Sequence, residues 1–147
     1  MGVQISLTPH IYLAIKMDCV FCKIIKGEVP CYKIYEDKNF LAFLDINPLN
    51  AGHTVLIPKK HVQWVNDYEP FCKYWETARK ISRVIQKSLN PLVVSYVVYG
   101  LGIPHAHIHL IPKFENDEHP LGPNPEKTQK LSKDEMESIA KKIKESF

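Results

Sequence analysis

Three imidazoles stand at His105, His107 and His109, at i, i+2 and i+4, within Gly102-Ile-Pro-His-Ala-His-Ile-His-Leu-Ile-Pro112. On a strand, side chains alternate faces. The spacing therefore sends three rings one way while Ala106, Ile108, Leu110 and Ile111 enter a core. Neighbouring rings then lie roughly 6–7 Å apart. Pro112 cannot donate to a ladder, so it closes the strand or marks its edge. A neutral imidazole is a nucleophile near neutral pH, provided that a partner on one nitrogen fixes its tautomer. His107 is the ring flanked on both sides, which makes it the choice for a nucleophile. Two other readings stay open at this point: three imidazoles holding one catalytic metal, and a polar strand face without chemistry.

A second constellation is Cys19-Val-Phe-Cys22. Two thiolates at this spacing make half of a tetrahedral zinc site. A redox pair would need a helix N-terminus in a βαβ setting, which the flanking sequence does not offer. Cys31 is expected to be a plain thiol and Cys72 an inert buried one. Lys59-Lys60 reads as a solvated turn.

The elements that must position these groups follow from periodicity. Strands are expected at 32–36, 40–45, 53–57, 93–99 and 105–111, with 92–99 reading as a buried strand. Phe71, Tyr74, Trp75, Ala78, Ile81, Ile85 and Leu89 recur at helical steps. They predict one long helix over 69–89 that ends at Asn90-Pro91 and places its aromatic residues in the core. A short helix or turn spans 19–27, with Gly27 at its end. Ser132 to Glu135 forms a capping box for a C-terminal amphipathic helix, and 114–128 is an irregular crossing. Residues 1–17 alternate as two short strands around Thr8-Pro9-His10 and form an N-terminal extension. The sum is an α+β fold, a five-stranded sheet with one long helix packed on it plus a C-terminal helix.

With 147 residues, one domain is expected, and the apolar and charged fractions of 45% and 24% are ordinary for a globular chain. The net charge of +3 mildly favours anionic ligands and is too small to imply nucleic-acid binding. No apolar run reaches the ~20 residues a spanning helix needs, and no signal peptide is evident, so a cytoplasmic chain without membrane contact is expected.

His105-Ala-His-Ile-His-Leu-Ile111 resembles the signature of the histidine triad (HIT) family of nucleotide hydrolases and transferases. Asp45-Ile-Asn-Pro-Leu-Asn-Ala-Gly-His53 running on to His61, and Cys19 to Glu28, are similar to the same family, so the likeness covers about Asp18 to Phe114. The resemblance implies a HIT domain over 18–115, with 116–147 packed on it, and an antiparallel sheet that continues across a homodimer. It implies that His107 attacks the α-phosphorus of a nucleotide, usually of adenine, to give a covalent nucleotidyl-histidine, with His53 and His109 around the nucleophile. Asp45 matches the ribose-binding acid, and Phe21, Ile24, Phe43 and Ile46 fall where the family builds its base pocket. Backbone N–H groups near Gly100 and Gly102 would receive phosphate oxygens. His61 and His105 would complete a structural zinc site with Cys19 and Cys22. The chain departs from well-known members at Leu101 and Gly102, which lack the hydroxyl or amide that contacts the leaving group. Dinucleoside polyphosphates and nucleoside phosphoramidates therefore both stay open as substrates, as does a nucleotide-binding module with little turnover.

Overall fold

The structure, a computed structural model, describes Pro9 and residues 18–147. The strands expected within 1–17 lie outside the described residues. Strands β1 (Lys33–Glu36), β2 (Phe40–Leu44), β3 (Thr54–Pro58), β4 (Val93–Val97) and β5 (Ile108–Lys113) form one antiparallel sheet in the order β1-β2-β3-β5-β4. Three helices accompany it: α1 (Val20–Ile25), α2 (Phe71–Leu89) and α3 (Lys133–Lys144). The architecture is the expected α+β sheet.

Alternation along the strands separates two apolar clusters. Ala42, Leu56, Ile108 and Leu110 face α2, which buries Tyr74, Ala78, Ile81 and Ile85 against them. Tyr74 Oη donates to the Leu56 carbonyl at 2.8 Å, so this fully buried phenol is satisfied. Leu41, Phe43, Val55 and Ile57 face the other way and pack on α1. α2 stops at Asn90, whose left-handed φ of 51° precedes Pro91. At α3 the capping box is complete: Ser132 Oγ accepts from the Glu135 N–H at 3.2 Å, and the Glu135 carboxylate accepts from the Ser132 N–H at 2.7 Å. This helix then buries Met136, Ala140 and Ile143 in the same core as α2.

Four expectations need correction. β5 begins at Ile108, so His105 and His107 precede the ladder on extended chain; the Ala106 N–H bonds to the Val62 carbonyl instead. Pro112 lies within β5, paired with Val94 of β4 but beyond the end of its pairing with β3, where no donor is required. β4 is not a buried strand. It is the sheet edge, and Leu92, Val93, Tyr96 and Val98 are exposed. On α2, Phe71 and Cys72 are also exposed, because they lie off the face that turns Tyr74, Ala78, Ile81 and Ile85 into the core.

Candidate active site and metal centre

His107 Nδ1 lies 2.6 Å from the backbone carbonyl of His105. A carbonyl only accepts, so Nδ1 carries the ring proton and Nε2 keeps its lone pair. The ring lines a cleft of about 390 Å³, whose walls include Gln63, Trp64, Tyr99, Gly100 and Leu101. Phe21 meets the ring edge-on from the α1 side, with centroids 5.4 Å apart. Gly100 has a φ of 70°, and a Cβ there would sit 3.5 Å from the Trp64 ring, so the loop backbone lies directly against the indole.

The His109 ring is 5.1 Å from that of His107, closer than the strand rise alone gives. Its Nδ1 is 2.9 Å from His53 Nε2. The Leu49 N–H donates to His53 Nδ1 at 3.1 Å, which leaves the His53 proton on Nε2. His53 is thus the donor to His109 Nδ1, and His109 must carry its own proton on Nε2. One ring in the site offers a lone pair and its neighbour offers an N–H. Asp45 stands beside both: Oδ1 accepts the Asn47 N–H at 2.9 Å in a local turn, while Oδ2 is 3.7 Å from His53 and 3.9 Å from His109.

Cys19, Cys22, His61 and His105 are all buried and bring their ligand atoms within 4.8 Å of one another. His105 Nδ1 lies 3.5 Å from each sulfur, and His61 Nδ1 lies 3.1 Å from Cys22 Sγ. Zinc–sulfur bonds of about 2.3 Å and zinc–nitrogen bonds of about 2.0 Å put sulfur and nitrogen about 3.5 Å apart on a tetrahedral edge. His105 Nε2 donates to the Pro58 carbonyl at 2.8 Å, which leaves Nδ1 unprotonated toward the thiols. The donor set fits a closed tetrahedral metal. Asp45, His53 and His109 also lie within 4.8 Å of one another, but the Leu49 N–H keeps the proton on the His53 nitrogen a metal would need. The reading of three triad histidines around one metal fails as well. His105 faces the thiols and His109 faces His53, and no metal-ligating group among the described residues includes all three.

Phe21, Phe43 and Ile24 come together on the site face, Phe21 and Phe43 edge-to-face at 5.7 Å. Ile46 stands apart. It is 76% exposed and lines a separate groove of about 980 Å³ beside Tyr32, Ala140 and Lys144. Gly102 has a φ of 85°, and nothing crowds the space where its Cβ would stand. Sequence reasoning missed Trp64 and Tyr99; the Tyr99 ring is 5.3 Å from that of His109. It also missed the buried His119. Trp64 follows His61 closely enough to have been suspected, but His119 sits in a stretch with no periodicity.

Burial pushes the pKa of both His53 and His109 down to about 4, with neighbouring imidazoles adding to the effect and Asp45 opposing it at His109. An unfolded histidine titrates near 6.5, so protons are taken up on unfolding between these values. Stability from these neutral rings is full above pH ~6.5 and declines as pH falls toward about 4. Asp117, held low by four donors, contributes only to the loss at still lower pH. Thermal melts from pH 7 to 4 should show a falling melting temperature, with a shallower slope in His53→Asn; a slope unchanged in that variant would remove His53 as a source.

The HIT domain family pattern matches residues 26–116. An uncharacterized HIT-like protein of Methanocaldococcus jannaschii is 40% identical over 67% of this chain and 81% of its own length. An adenosine 5′-monophosphoramidase of Schizosaccharomyces pombe is 37% identical over 72% of this chain and 81% of its own. A crystal structure of a zinc-bound histidine triad protein from Mycobacterium smegmatis superposes with a TM-score of 0.71 at 29% identity, covering 89% of this chain and 94% of that one. With its imidazoles and thiols arranged as described, the chain belongs to the histidine triad (HIT) family.

Proposed function

We propose that the chain is a nucleotidyl hydrolase or transferase that works through a covalent nucleotidyl-His107 intermediate. The observation that carries this reading is the hydrogen bond from His107 Nδ1 to the His105 carbonyl, which turns an unprotonated Nε2 into a cleft. Nε2 attacks the α-phosphorus, a P–N bond forms, and the bond from phosphorus to the leaving group breaks. The leaving group departs with the electron pair and takes up a proton from solvent, which regains one when water attacks in the second step. Water then adds to phosphorus, the P–N bond to His107 breaks, and the nucleoside monophosphate is released. The His109 Nε2–H is the donor for negative charge that builds on phosphate oxygens, and Gly100 and Gly102 bring backbone N–H groups close. Asp45 Oδ2 is the acceptor for ribose hydroxyls, and Phe21, Ile24 and Phe43 supply the apolar contact for a base, adenine in the reading we favour.

Among the described residues, no Lys, Arg, Asp or Glu side chain lines the cleft beside His107; it offers Trp64, Tyr99 and Leu101, with Gln63 and Asn66 as amides. Such walls suit a neutral leaving group and give a polyphosphate no cation. A nucleoside phosphoramidate is therefore favoured over a dinucleoside polyphosphate. The related phosphoramidase of Schizosaccharomyces pombe supports the same choice. Mass spectrometry of protein quenched within one turnover of an adenosine 5′-phosphoramidate should find an adenylyl adduct on His107, absent in His107→Asn. Tight binding of AMP with no adduct at any quench time would leave a nucleotide-binding module.

Cys19, Cys22, His61 and His105 would hold a structural zinc, which supplies a tether between α1 and the start of the triad segment and no open coordination position. Metal analysis should give one zinc per chain, and Cys22→Ala should lose it together with several degrees of thermal stability. Zinc retained in that variant would overturn the assignment. Thiols kept for a metal suit a cytoplasmic protein, where they stay reduced. The catalytic unit spans 18–115, and 116–147 completes its core.

The exposed edge of β4, with Leu92, Val93 and Tyr96 and with the Tyr96 ring 6.0 Å from that of Trp75 on α2, supports a homodimer that extends the sheet. Trp75 Nε1 is buried beside this face with no hydrogen-bond partner among the described residues. Sedimentation should give twice the chain mass, reverting to the monomer mass in Tyr96→Lys; a monomer at all concentrations in the parent chain would refute the pairing.

A further inference from the structure

His119 plays no part in the chemistry above, yet it is 2% exposed and fully bonded. The Asn124 N–H donates to its Nδ1 at 3.1 Å, so its proton is on Nε2, which donates to the Leu49 carbonyl at 2.9 Å. Leu49 is itself buried, and its N–H is the group that sets the proton position of His53. His53 in turn sets that of His109. The bonds therefore run without a gap from the irregular crossing after β5 to the donor nitrogen beside the nucleophile.

We propose that His119 is a positioning residue: by holding the Leu49 backbone from its carbonyl side, it keeps the Leu49 N–H on His53 Nδ1 and so fixes the tautomers of His53 and His109. The placement of His119 does not depend on its own ring. Asp117 accepts the His119 N–H at 3.0 Å, the Phe114 N–H at 3.0 Å and the Asn50 side-chain amide at 2.7 Å, and it pairs with Lys113. That carboxylate anchors the crossing, which leaves the imidazole to anchor residue 49. A ring used only to fill space would need neither nitrogen bonded. Here both are, and each bond has one direction allowed by its partner.

The kinetic readout rests on the nucleotidyl-transfer reading, whereas the tautomer readout does not, so the two fail separately. Long-range proton–nitrogen NMR of the zinc-loaded full chain reports which nitrogen of each histidine is protonated. His119→Phe keeps a planar ring and removes the donor. His119→Gln keeps an N–H at the distance of Nε2. His119→Asn, too short to reach Leu49, replaces the phenylalanine variant should that one not fold. In the Phe or Asn variant, His53 should change from the Nε2–H form to a mixture of tautomers. The rate of adenylyl transfer to His107 from adenosine 5′-phosphoramidate should fall by about tenfold or more, as expected for a wrongly protonated imidazole. His119→Gln should restore both. A folded Phe or Asn variant with His53 still protonated at Nε2 would overturn the proposal. So would a folded Gln variant that has lost this tautomer as completely as they have. Wild-type protein that gives the tautomers but no adduct would leave the positioning role intact and remove only the transfer reading.

Discussion

A main-chain carbonyl 2.6 Å from His107 Nδ1 decides which nitrogen of that ring is protonated, and peptide groups set the proton position of His105 and His53 in the same way. His105 gives its Nε2 proton to the Pro58 carbonyl, and His53 receives the Leu49 N–H. Peptide groups are fixed by the sheet and its turns and cannot titrate. A histidine oriented by them keeps one tautomer wherever it is neutral. Five imidazoles share one face of a small sheet, and without such anchors their protons would redistribute among several near-equivalent arrangements. The backbone removes that freedom, and it does so before any ligand arrives.

The sheet makes this possible by keeping its two faces apart. α2 and α3 seal one face with a large apolar cluster, so β3 and β5 are rigid from behind. Among the described residues, the other face carries the short α1, the second cluster and the imidazoles. α1 has six residues and no side-chain cap, too little to hold its place by helix stability alone. Phe21, packed on Phe43, and the two thiols facing His61 and His105 are what join it to the sheet.

Much of this layout was legible in the sequence because period two and period 3.6 are local signals. The alternation of His107, Ile108, His109 and Leu110 gave the two faces, and the spacing of Tyr74, Ala78, Ile81 and Ile85 gave α2. The run at 92–99 misled because apolar residues on an edge strand look the same as those on a central one. Position in a sheet is a property of pairing, which no window of sequence contains. His119 was invisible for a related reason: its partners are Leu49, distant by 70 positions, and Asn124, and both bonds use backbone atoms. Side-chain motifs carry no trace of a backbone partner.

His105 serves two neighbourhoods at once, its side chain toward the thiols and its carbonyl toward His107. Only the first of these depends on which amino acid occupies the position. The carbonyl comes with any residue, and it is held in place by the His105 N–H to Ile103 and the Ala106 N–H to Val62. The cluster and the orientation of His107 are therefore separable in evolution. A lineage could trade these thiols and imidazoles for ordinary apolar packing and still inherit a correctly aimed His107, since the part that aims it is written in the backbone.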